Sequence, residues 1–281
     1  MQQKIVRWIG TYLNLMAPVA PGHTGKLGYK LFGRPIRKKI TPEEMQLLNR
    51  AEPLHLEYNN IKIRGYRWGG GSKKILLLHG WQSHSARWKN VIPHLTECGC
   101  SVIAIDAPGH GQSGGNFFSA PLYGEVIMKL GEEVGRFHAI AGHSMGAFST
   151  LYAQSQYKKP EADRLVIMAT PGEVEDFVTY FRQRLGLNEQ SLQTIRDYFQ
   201  NDVGRTVEEF SITRLAENLD LPGLIIHDKQ DRFAPFKYAE QLNQRWDNAT
   251  LMATEGLGHH LASKKVVEAM AEFIDGKPGC N

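Results

Sequence analysis

Cysteine is scarce, with only Cys98, Cys100 and Cys280 among 281 residues. That excludes a disulfide scaffold, and a bridge across the single residue between Cys98 and Cys100 would be strained. Reduced thiols and a cytoplasmic setting are therefore expected. No apolar run reaches the ~18 residues of a membrane-spanning helix. The eleven histidines are scattered, with no Cys-x-x-Cys, His-x-x-x-His or His-x-His spacing, which argues against a metal site. Acidic residues are missing from residues 1–40, which hold eight lysines and arginines from Lys4 to Lys39. The net charge of +4 thus belongs to this arm, and the remainder is mildly acidic. Beyond the arm, Lys and Arg do not cluster with aromatics, so a nucleic-acid partner has no support.

What is present centres on Gly142-His143-Ser144-Met145-Gly146. It follows the apolar run from Phe137 to Ala141 and precedes a helical stretch from Ala147 to Gln156, which sets a serine between two glycines at a strand-to-helix turn. Such a turn pushes the hydroxyl clear of the sheet, and the flanking glycines leave no Cβ to obstruct the reversal. A serine hydroxyl needs a base to take its proton and a carboxylate to orient that base. The strand-like run Leu224 to His227 ends near Asp231, and the run Leu251 to Thr254 leads to Gly258-His259-His260. Ser144, Asp231 and His259 follow one another in the order nucleophile, acid, base. Two backbone amides would hold an oxyanion: that of Met145, at a helix N-terminus, and that of Trp81, after the strand Lys74 to Leu78. Gly80, lacking a side chain, would let that backbone approach closely. His79 is expected to stabilise the turn.

Together, His79-Gly80-Trp81, Asp106-Ala107-Pro108-Gly109-His110-Gly111-Gln112-Ser113, the Ser144 turn, Asp231 before Pro235, and Gly258-His259 resemble the successive signatures of an α/β-hydrolase from about residue 54 to the C-terminus. The resemblance implies a mainly parallel, doubly wound sheet with antiparallel first strands and a short helical cap. The family usually has glycine where this chain has Asp228, which leaves two carboxylates within one turn. The spacing of Asp231 to Pro235 fits the family turn, whereas Asp228 is placed to cap the loop. His259 is preferred to His260 because it follows Gly258.

Organisation follows the same pattern. Residues 1–45 read as a basic helical arm, and residues 46–281 as the hydrolase domain with a cap inserted at about 172–213. Asn59-Asn60 between two alternating runs predicts a hairpin, and buried strands are expected at residues 102–105, 139–141, 165–169, 224–227 and 251–253. The cap's aromatics, including Phe181 and Phe199, are candidates for pocket walls. In the arm, Ile5, Trp8, Ile9, Tyr12, Leu13 and Met16 form an apolar stripe beside Lys4 and Arg7. One reading is a helix docked on the hydrolase core. The other is a peripheral contact with anionic lipid through residues 1–40. Thr11 and Asn14 dilute the stripe too much for a secretory signal. Gly109 to Gly114 satisfies G-x-G-x-x-G after a strand, but Asp106-Ala107-Pro108 intervenes and no helix follows, so a tight turn is expected in place of a dinucleotide site.

The implied function is a cofactor-free serine esterase acting on small acyl esters through an acyl-enzyme on Ser144. A ligand receptor that keeps the triad, or an acyltransferase, would carry the same residues.

Overall fold

In the computed structural model, residues 2–158 and 161–275 are described, with side chains from residue 4 onward. Cys280 lies outside them. The chain forms two compact units, residues 1–34 with 173–214, and residues 35–172 with 215–281.

The smaller unit joins α1 (Gln2–Met16) and α2 (Pro21–Phe32) of the arm to inserted helices described below. The larger begins with α3 (Pro42–Asn49), whose first turn is closed by a Thr41–Glu44 capping box. Then come β1 (Glu52–Tyr58), β2 (Ile61–Trp68), β3 (Lys74–Leu78), α4 (Val91–Glu97) and β4 (Ser101–Ile105). They are followed by α5 (Ala120–Val134), β5 (Ala139–His143), α6 (Met145–Tyr157) and β6 (Leu165–Met168). The inserted helices are α7 (Val174–Leu185) and α8 (Glu189–Val203), and the short α9 (Ile212–Leu215) returns the chain to the larger unit. There β7 (Gly223–Asp228), α10 (Lys237–Arg245), β8 (Ala249–Thr254) and α11 (Lys264–Asp275) complete it.

The eight strands lie in the order β1-β2-β4-β3-β5-β6-β7-β8. β1 and β2 pair antiparallel, β2 meets β4 antiparallel, and every later pairing is parallel. The hairpin forms where expected because Asn59 and Asn60 both adopt positive φ, 48° and 61°, the twist a two-residue turn requires. Strands β3 to β6 are buried almost throughout, as a parallel sheet covered on both faces demands. On one face Ile75, Leu77, Val102, Ala104 and Ala141 pack with Trp88, Ile92, Met270 and Ile274. From β3 the chain steps to β4 on one side and to β5 on the other. The loops after β3 and β5 therefore flank the point where strand order reverses, the usual crevice for a ligand in such sheets.

The smaller unit is held by close helix approaches. Cβ atoms at Gly10 and Gly25 would collide with the carbonyl oxygens of Leu185 and Thr194, so α1 and α2 sit backbone-to-backbone on α7 and α8. Asn14 ties α1 to the turn after α7: its Nδ2 donates to Gly186 O, and its Oδ1 accepts from the Asn188 amide and the Ser191 hydroxyl, each at 2.9 Å. Phe181 packs edge-on to Phe32, and Phe199 to Tyr29 and Phe210. These aromatics thus build the unit's own interior.

Cys98 is disulfide-bonded, against the expectation of three reduced thiols, while Cys100 is a buried free thiol. Cysteine usage therefore does not fix the compartment. Among the described residues no helix is long and apolar enough to cross a membrane.

Candidate active site

Ser144 occupies the junction of β5 and α6 with φ 53° and ψ −123°, a region that non-glycine residues enter only when the surroundings over-determine it. The surroundings are visible. Its amide donates to Met168 O on β6 and its carbonyl accepts from the Phe148 amide of α6. The side chain is half-buried.

The loop after β3 lies against it because β3 and β5 are neighbours, Leu78 opposite Gly142. A Cβ on Gly80 would stand 2.8 Å from Ser144 Cβ and 3.0 Å from His143 O. The glycine is therefore required for contact with the serine itself, as well as for any approach of substrate. Neither the Trp81 nor the Met145 amide has an acceptor among the described residues. The Trp81 ring is braced by His110 and Phe118, with centroids 5.6 and 5.5 Å away.

β7 and β8 are adjacent, which brings the loops beyond them together. There His259 Nδ1 donates to Asp231 Oδ2 at 2.8 Å. Asp231 Oδ1 accepts from the Phe233 and Ala234 amides at 2.8 and 3.0 Å. Burial alone would raise the Asp231 pKa, but hydrogen bonds from His227, His259 and the Ala234 amide hold it well below the ordinary carboxylate value. Asp228 faces elsewhere: it accepts from the Gln230 amide, Thr254 Oγ1 and the Leu257 amide, fastening the loop that carries His259. His260 is exposed and offers only its carbonyl, to Arg87.

The two halves of the site meet at a histidine to which the sequence assigned no role. His143 Nε2 donates to His259 O at 2.7 Å, and the two rings lie 4.9 Å apart. The residue before the serine thus anchors the backbone of the candidate base. Burial, with Arg87 and His259 nearby, keeps His143 neutral. No hydrogen bond joins Ser144 Oγ to His259 in this state, and His259 Nε2 has no partner among the described residues. Such bonds are commonly long in free enzymes and tighten with substrate. A second unforeseen support is His227, whose Nε2 donates to Ala234 O at 2.8 Å and stands 3.4 Å from Asp231 Oδ2. A histidine inside an apolar strand run was the available signal, since a buried polar ring needs a partner.

His79 and His110 share one arrangement. Each donates from Nδ1 to a backbone carbonyl, Gly80 O or Pro108 O, and accepts at Nε2 from an amide, Ala107 or Gln82. Both must be neutral to do so. Burial lowers the His110 pKa from 6.5 to about 4 and that of His79 to about 3. The unfolded chain takes up these protons as pH falls through about 6.5 and the folded chain only near 4 or below, so stability declines with pH across that window, by up to about 3 kcal/mol for His110. His110→Gln keeps an acceptor for the Gln82 amide without the titration. Its Tm should fall less steeply than the parent's between pH 6.5 and 4, and parallel curves would reject this account.

The glycine-rich run after β4 is occupied structurally. The amides of Gly109, His110, Gln112, Ser113 and Gly114 all donate within the protein, so they form no open cradle for a pyrophosphate. Among the described residues no cluster of His, Cys, Asp or Glu is placed to hold a metal ion.

Comparison with known proteins gives a consistent picture. Residues 71–196 match the family model described as serine aminopeptidase, S33. A serine hydrolase-like protein from Danio rerio is 33% identical over 145 residues, 46% of this chain and 41% of that protein. The chain thus spans less than half the length of that relative. Monoacylglycerol lipase ABHD6 from Mus musculus is 24% identical over 259 residues, covering 73% of this chain and 76% of its own. Among solved structures, Est1E from Butyrivibrio proteoclasticus with ferulic acid bound superposes with a TM-score of 0.60 at 19% identity, over 79% of this chain and 96% of that one. With its mixed eight-stranded sheet and these likenesses, the chain has the α/β-hydrolase fold.

Proposed function

We propose that the protein is a serine hydrolase that cleaves small carboxylic esters through an acyl-enzyme on Ser144. The observation that carries this reading is the 2.8 Å bond from His259 Nδ1 to Asp231, on a loop whose carbonyl is tied to the residue preceding Ser144. With Nδ1 committed to the carboxylate, Nε2 is the nitrogen free to act as base.

As Ser144 Oγ attacks the acyl carbon, His259 Nε2 takes its proton, and the Trp81 and Met145 amides receive the developing oxyanion. Collapse of the tetrahedral intermediate breaks the acyl–oxygen bond, and the imidazolium returns its proton to the departing alcohol. Water then attacks the acyl-enzyme with the same base, releasing the acid and restoring the serine. Asp231 stays ionised throughout, in keeping with its depressed pKa. The lipase and esterase names of the relatives support the ester class.

A panel of p-nitrophenyl esters of increasing chain length, run beside aminoacyl p-nitroanilides, tests this. Expected are steady multiple turnovers on esters and labelling of Ser144 by a fluorophosphonate. Preference for the anilides would redirect the reading to peptides. Absence of both turnover and labelling would reject it.

A further inference from the structure

The stripe read in the arm divides into two faces. Gly10, Leu13 and Ala17 are buried, with Val6, Ile9 and Met16 half-buried beside them, and this face packs into the smaller unit. Ile5, Trp8, Tyr12 and Leu15, with Val19 just beyond the helix, point the other way and are 55, 74, 45, 69 and 76% exposed. Their spacing of three and four residues sets them in one line along α1. Asn14, bonded to the turn after α7, fixes the rotation of the helix, so this line cannot roll inward. A contiguous apolar ridge on a helix is otherwise a solubility liability, which marks it as a contact surface.

Along one edge of the ridge α1 and α7 bound an open cavity of about 710 Å³ lined by Lys4, Val6, Arg7, Trp8, Thr11, Gln183 and Arg184. Lys4, Arg7 and Arg184 have no ion-pair partner among the described residues, and no acidic side chain lines the cavity. Three unpaired cations with the side-chain amide of Gln183 fit a phosphate, while the Thr11 hydroxyl donates to Arg7 O within α1. Beside them is an apolar ridge with an aromatic at its polar margin.

We propose that this face of α1 docks on an anionic lipid bilayer, the ridge entering the boundary between headgroups and acyl chains while a lipid phosphate sits in the basic cavity. A second copy of the chain suits the ridge less well, because a two-fold contact along it would bring both sets of cations together. The inference is independent of the hydrolytic reading.

Point substitutions test it in the full chain, since removing α1 would strip one side of the smaller unit. Sedimentation is measured with phosphatidylcholine vesicles and with vesicles containing phosphatidylglycerol. The parent should bind only the latter appreciably, and less in high salt. Trp8→Ser with Leu15→Ser should weaken binding at least tenfold. Arg7→Gln with Arg184→Gln should weaken it by roughly fivefold per cation. All sites are exposed, so an unchanged Tm is expected and would show that the fold is intact. The proposal is overturned if the parent ignores anionic vesicles, if it binds both kinds equally, or if either pair of substitutions leaves binding unchanged. A self-association that the ridge substitutions abolish, without any vesicle binding, would assign the face to a second copy.

Discussion

Ser144→Gly is expected to abolish ester hydrolysis and to raise stability. The serine holds φ 53° and ψ −123°, a conformation that costs a residue with a Cβ on the order of 1–3 kcal/mol and glycine much less. The net gain should be about 1 kcal/mol after glycine's larger unfolded-state entropy, or roughly 2–4 °C in Tm for a domain of this size. Ser144→Ala removes the same hydroxyl and keeps the strain, so its Tm should stay near the parent's. Both should lose at least ~10⁴-fold in kcat on p-nitrophenyl acetate, because members of such a triad act as a unit. Calorimetry and turnover on the three proteins decide the matter. Equal Tm values for the Gly and Ala variants would reject the strain account, and residual turnover within tenfold of the parent would reject Ser144 as nucleophile.

The second large effect is expected at Asp106. This carboxylate is fully buried at the end of β4. Its Oδ1 accepts from the amide and hydroxyl of Ser85 at 2.8 and 2.7 Å, and its Oδ2 from the Gln112 amide and the Tyr66 hydroxyl at 2.8 and 3.1 Å. The same turn is clamped from outside by Arg37, which donates to the carbonyls of His110, Gly111 and Gly115. Asp106→Ala leaves four donors without an acceptor in the interior, and a loss of about 4–6 kcal/mol is expected in urea unfolding. Should that variant fail to fold, Asp106→Asn retains one carbonyl oxygen and should lose about half as much. A loss under about 1 kcal/mol in either would show that the network is not structural.

Legibility in the sequence followed locality. The Ser144 turn was readable because a strand, a tight turn and a helix are consecutive, and the hairpin because two asparagines tolerate positive φ. Asp231 and His259 could be paired from chain order, since each follows a strand and parallel neighbours bring such loops together. The supporting histidines were not assigned. His143 and His227 act through single backbone carbonyls, and nothing in a linear chain says which carbonyl will lie opposite a ring. The partnership of the arm with the insertion was equally hidden, because Gly10 and Gly25 meet Leu185 and Thr194 through backbone atoms that carry no sequence signature. The apolar stripe in the arm was real, but its periodicity could not tell the face that packs from the face that is left over.

That partnership bears on how the protein is made. α1 and α2 leave the ribosome well before the helices that cover them, which are encoded only after β6. Until residue 214 has emerged, their inner faces lack the inserted helices as partners, and the closing loop spans the sheet's first six strands. Its entropic penalty grows only slowly with length, but the delay is long at roughly 5–20 residues per second. The nascent arm therefore travels through synthesis with both of its apolar faces open to solvent.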